Sequence, residues 1–213
     1  MLFRSLALTR RAVEGMKLVE AGKFTGWCPT WMMGPGLKGR PLGIVGMGRI
    51  GEAMALRCKA FGMTIHYHNR RRIAPEMERA LEATYWPDLD VMLPEMDIVS
   101  INAPSTPEPR HLFSAERLKR MKKTAYLINT ARGDIIDEAA LAAALERGEL
   151  AGAGLDVYEF EPKVHPKLIG RPDVVLLPHL GSSTYEARNG MGEKVIANIE
   201  AHLAGRPLPD RVA

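Results

Sequence analysis

The sequence of 213 residues predicts an α/β fold in which helices cover both faces of a doubly wound parallel sheet. Three observations lead to this fold class. Short apolar runs alternate with helical stretches along most of the chain, and a glycine-rich turn joins the first run to a helix. Hydrophobic residues make up 46% and charged residues 25%, which is typical of globular domains. The length fits one large domain or two small ones.

Six apolar runs are expected to form the strands, because each has the length and the apolar character of a buried strand. They are Leu42–Val45, Thr64–His68, Ile98–Asn102, Ala125–Asn129, Ala153–Val157 and Val174–Leu177. Helices are expected near Arg49–Phe61, Ala115–Met121, Glu138–Arg147 and, last, Thr184–Leu203. Asp137 is a suitable N-cap and Gly148 a suitable C′ residue for the third of these helices.

The first forty residues predict a helix followed by an extended connection. Apolar residues recur at helical spacing at Leu8, Ala12, Met16 and Val19, and Gly22 ends the pattern. Residues 1–13 also carry three arginines and no acid, as a mitochondrial transit peptide does. The helical interpretation fits better, and because the helix starts without an N-cap we expect the chain to begin inside a larger protein.

Three regions follow from this pattern. Residues 1–40 are expected to be a helix and connecting arm, residues 41–182 a dinucleotide-binding domain, and residues 183–213 a C-terminal helix and tail. The arm contains glycine, proline and tryptophan from residue 22 to residue 40.

Composition excludes several classes of protein. The net charge of +4 is too small and dispersed to indicate nucleic-acid binding, and no apolar run approaches the roughly 18 residues of a membrane helix. Cys28 and Cys58 are far apart, so a disulfide framework is unsupported and a reducing, cytoplasmic setting is expected. His66 and His68 are not at metal-ligand spacing, and no metal site is expected.

The glycine-rich turn reads GMGRIG and spans Gly46–Gly51. Gly46 would permit the tight turn, Gly48 would let the backbone approach a pyrophosphate, and Gly51 would let the helix pack closely on the strand. The helix N-terminus would then face the phosphates with unpaired N–H groups. An ordinary glycine-rich turn is the alternative, but the strand–turn–helix context favours a Rossmann-type dinucleotide site.

The end of the second strand predicts which dinucleotide is bound. An Asp or Glu at this point would bind the ribose 2′-hydroxyl of NAD, whereas this sequence has Asn69 followed by Arg70 and Arg71. An asparagine would not repel a 2′-phosphate, and the guanidinium groups could clamp it. NADP(H) is therefore the preferred cofactor and NAD(H) a possible one. The alternative is a solvated basic corner, which is common for runs of arginine.

Three polar residues follow later strands. Arg132, Glu161 and His179 stand just past the fourth, fifth and sixth predicted strands, and the carboxyl ends of the strands line the ligand crevice in such a sheet. Together they suit an anion clamp, a carboxylate that tunes an acid, and the acid itself. Taken singly, each is typical of an ordinary loop or surface residue.

These motifs resemble the D-isomer-specific 2-hydroxyacid dehydrogenases over nearly the whole chain, from about Leu6 to Ala213. The motifs that carry the resemblance are GIVGMGRIG at 43–51, INTARGD at 128–134, LDVYE at 155–159 and LPHLGS at 177–182. The Asn69–Arg71 corner and the Trp27–Met33 segment are most similar to the glyoxylate/hydroxypyruvate reductase branch.

The resemblance implies a function and a set of site residues. A small 2-keto acid such as glyoxylate or hydroxypyruvate would be reduced, with His179 as proton donor, Glu161 as its partner and Arg132 on the substrate carboxylate. Asp156 would hold the nicotinamide carboxamide. The residues implied to bind the cofactor are Gly46, Gly48, Arg49, Ile50, Gly51, Asn69, Arg70, Arg71, Ala103, Pro104, Thr130, Asp156 and Gly181.

The chain also departs from the family's pattern, because the substrate domain that precedes the nucleotide domain in family members is largely absent. Relatives use the Trp27–Met33 segment in a subunit interface, so a homodimer is implied. Two alternatives remain: an inactive dinucleotide-sensing module like the related corepressors, and a phosphoglycerate-type dehydrogenase, which the Asn69–Arg71 corner disfavours. A formate dehydrogenase is disfavoured because it has Gln where Glu161 stands.

Overall fold

Seven parallel strands form the sheet of the computed structural model, which describes residues 2–104 and 110–211. The strands are β1 (Pro41–Val45), β2 (Thr64–His68), β3 (Ala83–Tyr85), β4 (Ile98–Ile101), β5 (Tyr126–Asn129), β6 (Gly152–Leu155) and β7 (Val174–Leu176). They lie in the order β3-β2-β1-β4-β5-β6-β7, and all pairs are parallel. The order reverses between β1 and β4, where such sheets bind their ligands. The predicted Rossmann-type fold is confirmed.

Helices join the strands and cover both faces. In the described ranges they are α1 (Leu2–Thr9), α2 (Ala12–Glu20), α3 (Arg49–Ala60), α4 (Pro75–Leu81), α5 (Leu89–Met92), α6 (Ala115–Arg120), α7 (Glu138–Glu146) and α8 (Tyr185–Leu203). The predicted caps of α7 are confirmed: the Asp137 side chain accepts a hydrogen bond from the N–H of Ala140, and Gly148 has a φ of 65°.

Some local predictions were wrong or incomplete. The N-terminal segment is two helices rather than one, because Arg11 adopts a left-handed backbone with a φ of 50° between α1 and α2. The Arg11 guanidinium bonds both carboxylate oxygens of Glu14, at 2.8 and 2.6 Å, and this pair accompanies the break. The short elements β3, α4 and α5 were not predicted.

The sheet divides the core into two layers, because successive side chains of a strand point to opposite faces. Ile44 of β1 and Ile128 of β5 pack with α1 and α3 on one face. Val45 and Leu127, their neighbours in sequence, pack with α5, α6 and α7 on the other. The buried strands therefore lack the polar alternation of a half-exposed sheet.

The chain divides into two compact units, Met1–Pro178 and His179–Ala213. The first contains the whole sheet and its helices. The second contains α8, whose Lys194 and Asn198 both bond the carboxylate of Asp210. Among the described residues, no helix is long and apolar enough to cross a membrane.

Replacing Asp137 with alanine should destabilise the fold by about 1 kcal/mol, because α7 loses its side-chain cap. Urea unfolding followed by circular dichroism measures this free energy. Ser114→Ala is the matched control, because Ser114 is the N-cap residue of α6 but makes no cap hydrogen bond. Equal losses in the two variants would contradict the assignment of Asp137 as a working cap.

Candidate functional site

A cavity of about 810 Å³ lies at the C-terminal ends of β1, β2 and β4, at the point where the strand order reverses. Its wall contains seven of the residues that were predicted to bind the cofactor, namely Gly46, Gly48, Asn69, Arg70, Arg71, Ala103 and Pro104. Val45, Met47, His68, Asn102 and Leu112 complete the lining. The sheet thus brings segments that are distant in sequence to one wall.

Two positions of the glycine turn, Gly46 and Gly51, have no room for a side chain. Gly46 has a φ of 98°, and a Cβ atom on it would lie 2.4 Å from the backbone nitrogen of Ala103. A Cβ atom on Gly51 would lie 2.4 Å from the carbonyl oxygen of Gly46. At Gly48 a Cβ atom would meet no protein atom within 4 Å, so the space before it is open to a ligand.

Asn69 holds the glycine turn as well as lining the cavity. Its Oδ1 accepts a hydrogen bond of 2.7 Å from the N–H of Met47, and its Nδ2 donates one of 3.3 Å to the Met47 carbonyl. The N–H of Gly46 also donates to the His68 carbonyl, at 3.0 Å. The end of β2 therefore shapes the turn between β1 and α3, a role for Asn69 that the sequence did not reveal.

The three consecutive arginines after Asn69 have different environments. Arg72 bonds both carboxylate oxygens of Glu78, at 2.8 and 2.7 Å, and its guanidinium lies 5.6 Å from the centre of the Tyr85 ring. Arg70 and Arg71 line the cavity and form no hydrogen bond or ion pair with any other residue in the described ranges. Two guanidinium groups are thus available to an anion in the cavity.

Glu78 is the centre of a small polar network behind these arginines. The hydroxyl of the buried Tyr67 donates to Glu78 and accepts a hydrogen bond of 3.2 Å from the N–H of Ile73. The hydrogen bonds from Arg72, and then from Tyr67, lower the pKa of Glu78 to about 2. Burial, supported by the Glu78 contact, raises the pKa of Tyr67 to about 12.

Among the cavity-lining residues that were not predicted as site residues, His68 and Asn102 have polar side chains. His68 has its Nδ1 3.0 Å from the carbonyl oxygen of Trp86, so Nδ1 carries the proton that is donated there. Asn102 donates from Nδ2 to Ser100, while its buried Oδ1 has no hydrogen-bond partner within the described ranges. Both follow or end a buried strand, which is the signal that could have identified them.

Arg132 lies on a turn that a buried side chain holds. Asn129, at the end of β5, donates from Nδ2 to the Arg132 carbonyl at 2.9 Å and accepts from the N–H of Ala131 at 3.1 Å. The next residue, Gly133, lies so close to the backbone of Tyr158 that an added Cβ atom would be 1.9 Å from its carbonyl carbon. The Arg132 turn is therefore packed directly on the segment that leads to Glu161.

A second buried carboxylate holds the loop that carries Glu161. Glu138, at the start of α7, accepts hydrogen bonds from the N–H groups of Glu159 and His165, at 3.0 and 3.1 Å. Glu161 lies between these two anchors, and its Oε1 accepts from the N–H of Tyr158 at 3.1 Å. Burial raises the pKa of Glu138. From the sequence, Glu138 was predicted only as the first residue of a helix.

The other predicted site residues of the first unit are dispersed. Asp156 follows β6, is fully buried and forms an ion pair with the buried Arg4 of α1. Thr130 is half-buried directly after β5, while Arg49 and Ile50 begin α3, with Ile50 61% exposed. The ion pair with Arg4 was not predicted, because the two residues are far apart in sequence.

The remaining two predicted residues, His179 and Gly181, belong to the second unit. His179 is exposed, directly follows Pro178 and has a φ of 53°, an uncommon backbone conformation for a residue with a side chain. The structure thus packs the Arg132 and Glu161 loops together in the first unit and places His179 at the start of the second.

No cluster of His, Cys, Asp and Glu that could hold a metal ion occurs among the residues that the structure describes. Cys28 and Cys58 are free thiols, one exposed and one buried. The wall of the cavity presents glycine backbone, amide and guanidinium groups, which are groups that bind a dinucleotide.

The fold and the cavity define a dinucleotide-binding domain. Residues 2–181 match the family described as D-isomer specific 2-hydroxyacid dehydrogenase, NAD binding domain. The chain belongs to this family, as the resemblance of its motifs implied.

Relatives and solved structures support this membership. The glyoxylate reductase of Thermococcus litoralis is 46% identical over 211 residues, which are 97% of this chain and 63% of that protein. The crystal structure of an NADPH-dependent glyoxylate/hydroxypyruvate reductase from Sinorhizobium meliloti, in complex with NADP and malonate, is 35% identical with a TM-score of 0.91. It is matched over 100% of this chain and 65% of its own. The chain thus spans less than two thirds of these relatives.

Alanine at Gly46 should destabilise the fold, whereas alanine at Gly48 should leave the fold stable and weaken dinucleotide binding. Gly46→Ala should lower the free energy of unfolding by more than about 1 kcal/mol, because of the positive φ and the contact with Ala103. Gly48→Ala should leave that free energy within about 1 kcal/mol but weaken dinucleotide binding at least about tenfold, because its Cβ enters the open space. Thermal unfolding and fluorescence titration measure the two quantities, and undiminished binding by Gly48→Ala would contradict the placement of the phosphates.

The pairing of Glu78 with Arg72 and Tyr67 should make stability depend on pH at the acid end. The folded pKa of about 2 is below the ordinary 4.5, so the stabilisation is complete above about pH 4.5 and is lost as the pH falls toward about 2. Glu78→Gln should therefore cost more stability at about pH 6 than at about pH 3. Urea unfolding at both pH values measures this, with Glu76→Gln on the same helix as control; equal pH dependence in both variants would contradict it.

Proposed function

We propose that the chain is the cofactor-binding part of an enzyme that reduces a small 2-keto acid of the glyoxylate or hydroxypyruvate type, and that it prefers NADPH. The observation that carries this proposal is the cavity wall, in which the glycine turn lies beside the guanidinium groups of Arg70 and Arg71. Family membership supports the reaction class. A cytoplasmic setting fits the two free thiols.

The residues present fit NADPH. The open space before Gly48 suits a pyrophosphate at the N-terminus of α3, whose first N–H groups have no partner inside the helix. Asn69 brings no negative charge to the corner where a ribose 2′-phosphate would lie, and its side chain is already bonded to Met47. Arg70 and Arg71 supply positive charge there.

The proposed reaction assigns a task to each polar residue. When bound, the reduced nicotinamide supplies the hydride. Arg132 binds the substrate carboxylate and stabilises the negative charge that develops on the carbonyl oxygen. His179 donates its proton to that oxygen, while Glu161 orients the ring. Asp156 is proposed to hold the carboxamide of the nicotinamide, which requires its pair with the buried Arg4 to open.

Other parts of the protein complete the proposal. A closing substrate domain, which the resemblance to the family implies, would exclude water and hold the keto acid near the hydride. Residues 183–213 are proposed to contact that domain. The exposed aromatic residues of the arm, with Trp27 84% and Phe24 56% exposed, are proposed to contact a second copy of the chain.

The cofactor preference is tested by titrating the chain with NADPH and NADH. We expect NADPH to bind about ten- to hundredfold more tightly, because one charged hydrogen bond contributes about 1.5–3 kcal/mol. Replacing both Arg70 and Arg71 with alanine should remove this preference, and Asn69→Asp should favour NADH. Equal affinities in the unaltered chain, or tighter NADH binding, would contradict the proposed preference.

Turnover is tested on the chain alone and on the chain joined to a substrate domain of a glyoxylate reductase. The chain alone should bind NADPH with little reduction of glyoxylate, and the joined protein should turn over. In the joined protein His179→Ala should lower kcat by about 10²–10⁴-fold with little change in cofactor affinity. Cofactor binding by the joined protein without any turnover would favour the dinucleotide-sensing alternative instead.

A further inference from the structure

We propose that Glu78, acting through Arg72 and Tyr67, is a positioning residue that holds the Arg70–Arg71 turn at the cavity and thereby determines how strongly NADPH is preferred over NADH. This inference rests on the proposed cofactor preference. Arg70 and Arg71 line the cavity, whereas Tyr67, Arg72 and Glu78 do not. These three residues act on the two arginines through the backbone of the turn.

Both ends of the turn are fixed by side chains of the sheet. At its start, Asn69 bonds the backbone of Met47, and its own carbonyl accepts from the Tyr85 hydroxyl at 3.3 Å. At its end, the N–H of Ile73 donates to the Tyr67 hydroxyl at 3.2 Å. Tyr67 is fully buried in β2, so this anchor is part of the sheet rather than of the surface.

Arg72 is the link between the turn and Glu78. Both of its bonds reach the Glu78 carboxylate, whose side chain is only 10% exposed, and the guanidinium lies over Tyr85. In this position Arg72 is engaged on the side of α4, while its two predecessors line the cavity. The pairing of Arg72 with Glu78 thus sets the direction in which the chain presents Arg70 and Arg71 to the cavity.

The expected effect of this anchoring is on the ratio of the Kd for NADH to the Kd for NADPH. Fixing the backbone of one residue costs about 1–2 kcal/mol, so a turn whose backbone is held in advance is worth about five- to thirtyfold in affinity for each residue that it presents. This gain applies only to a ligand with a 2′-phosphate, because NADH offers the two guanidinium groups no anion at that corner.

The test measures Kd for NADPH and for NADH, by fluorescence titration of the full chain, in Glu78→Gln, Arg72→Ala and Tyr67→Phe. In each, NADPH should bind about five- to thirtyfold more weakly while NADH affinity stays within about twofold. Glu149→Gln is the matched control, because Arg147 bonds Glu149 with the same two-pronged geometry, at 2.8 and 2.8 Å, on a different part of the surface. It should change neither Kd.

Each other outcome has a definite meaning. An unchanged ratio in Glu78→Gln, or an equal loss for both dinucleotides, would overturn the positioning role. A ratio that rises in Glu78→Gln but falls in Arg72→Ala would also overturn it, because the released Arg72 would then be a phosphate ligand itself. If the unaltered chain shows no preference, the cofactor preference fails and this inference with it. If Glu78→Gln does not fold, Tyr67→Phe and Arg72→Ala decide by the same ratios.

Discussion

The chain leaves β1 through a gap that admits no side chain. Gly46 lies against the backbone that follows β4, and any Cβ atom there would overlap Ala103. This close approach brings the ends of β1 and β4 together at the reversal of the strand order, while Asn69 adds the end of β2. The cavity wall is the result of these contacts. The positions of the glycine turn, of Asn102 and of the arginine turn all depend on them.

The charged groups near the cavity follow one arrangement, in which buried carboxylates hold the loops while Arg70 and Arg71 line the cavity. Glu138 bonds two N–H groups of the Glu161 loop, and Glu78 bonds Arg72 and Tyr67 behind the arginine turn. Neither carboxylate was identified from the sequence as a site residue. A buried carboxylate that accepts backbone or guanidinium hydrogen bonds limits the motion of a loop, which a surface ion pair does poorly.

Much of the fold could be predicted because its strands are buried on both faces and therefore form short, continuous apolar runs. All six predicted strands are present, and the glycine motif lies in the predicted strand–turn–helix context. The edge strand β3 was missed because three residues, Ala83–Tyr85, carry too short a pattern. The break between α1 and α2 was missed because helical spacing of apolar residues continues across Arg11, whose left-handed backbone the pattern does not encode.

The site was predictable to the extent that strand ends meet at one edge of a parallel sheet. That rule identified Asn69, Arg70 and Arg71, but it contains no information about side-chain partners. The bond from Asn69 to Met47, the pair between Arg4 and Asp156 and the bonds of Glu138 all join residues that are distant in sequence. Such contacts depend on the packed structure, and a single sequence shows only that suitable residue types are present.

The anchoring by Glu138 has a consequence for how this segment can vary. One carboxylate bridges the amides of Glu159 and His165, so the ends of the loop stay in place whatever lies between them. Insertions or deletions between these ends, or a whole loop grafted from another dehydrogenase, would meet the same two attachment points. The interior of the loop that carries Glu161 can therefore be exchanged by protein engineering without redesign of α7 or of the sheet.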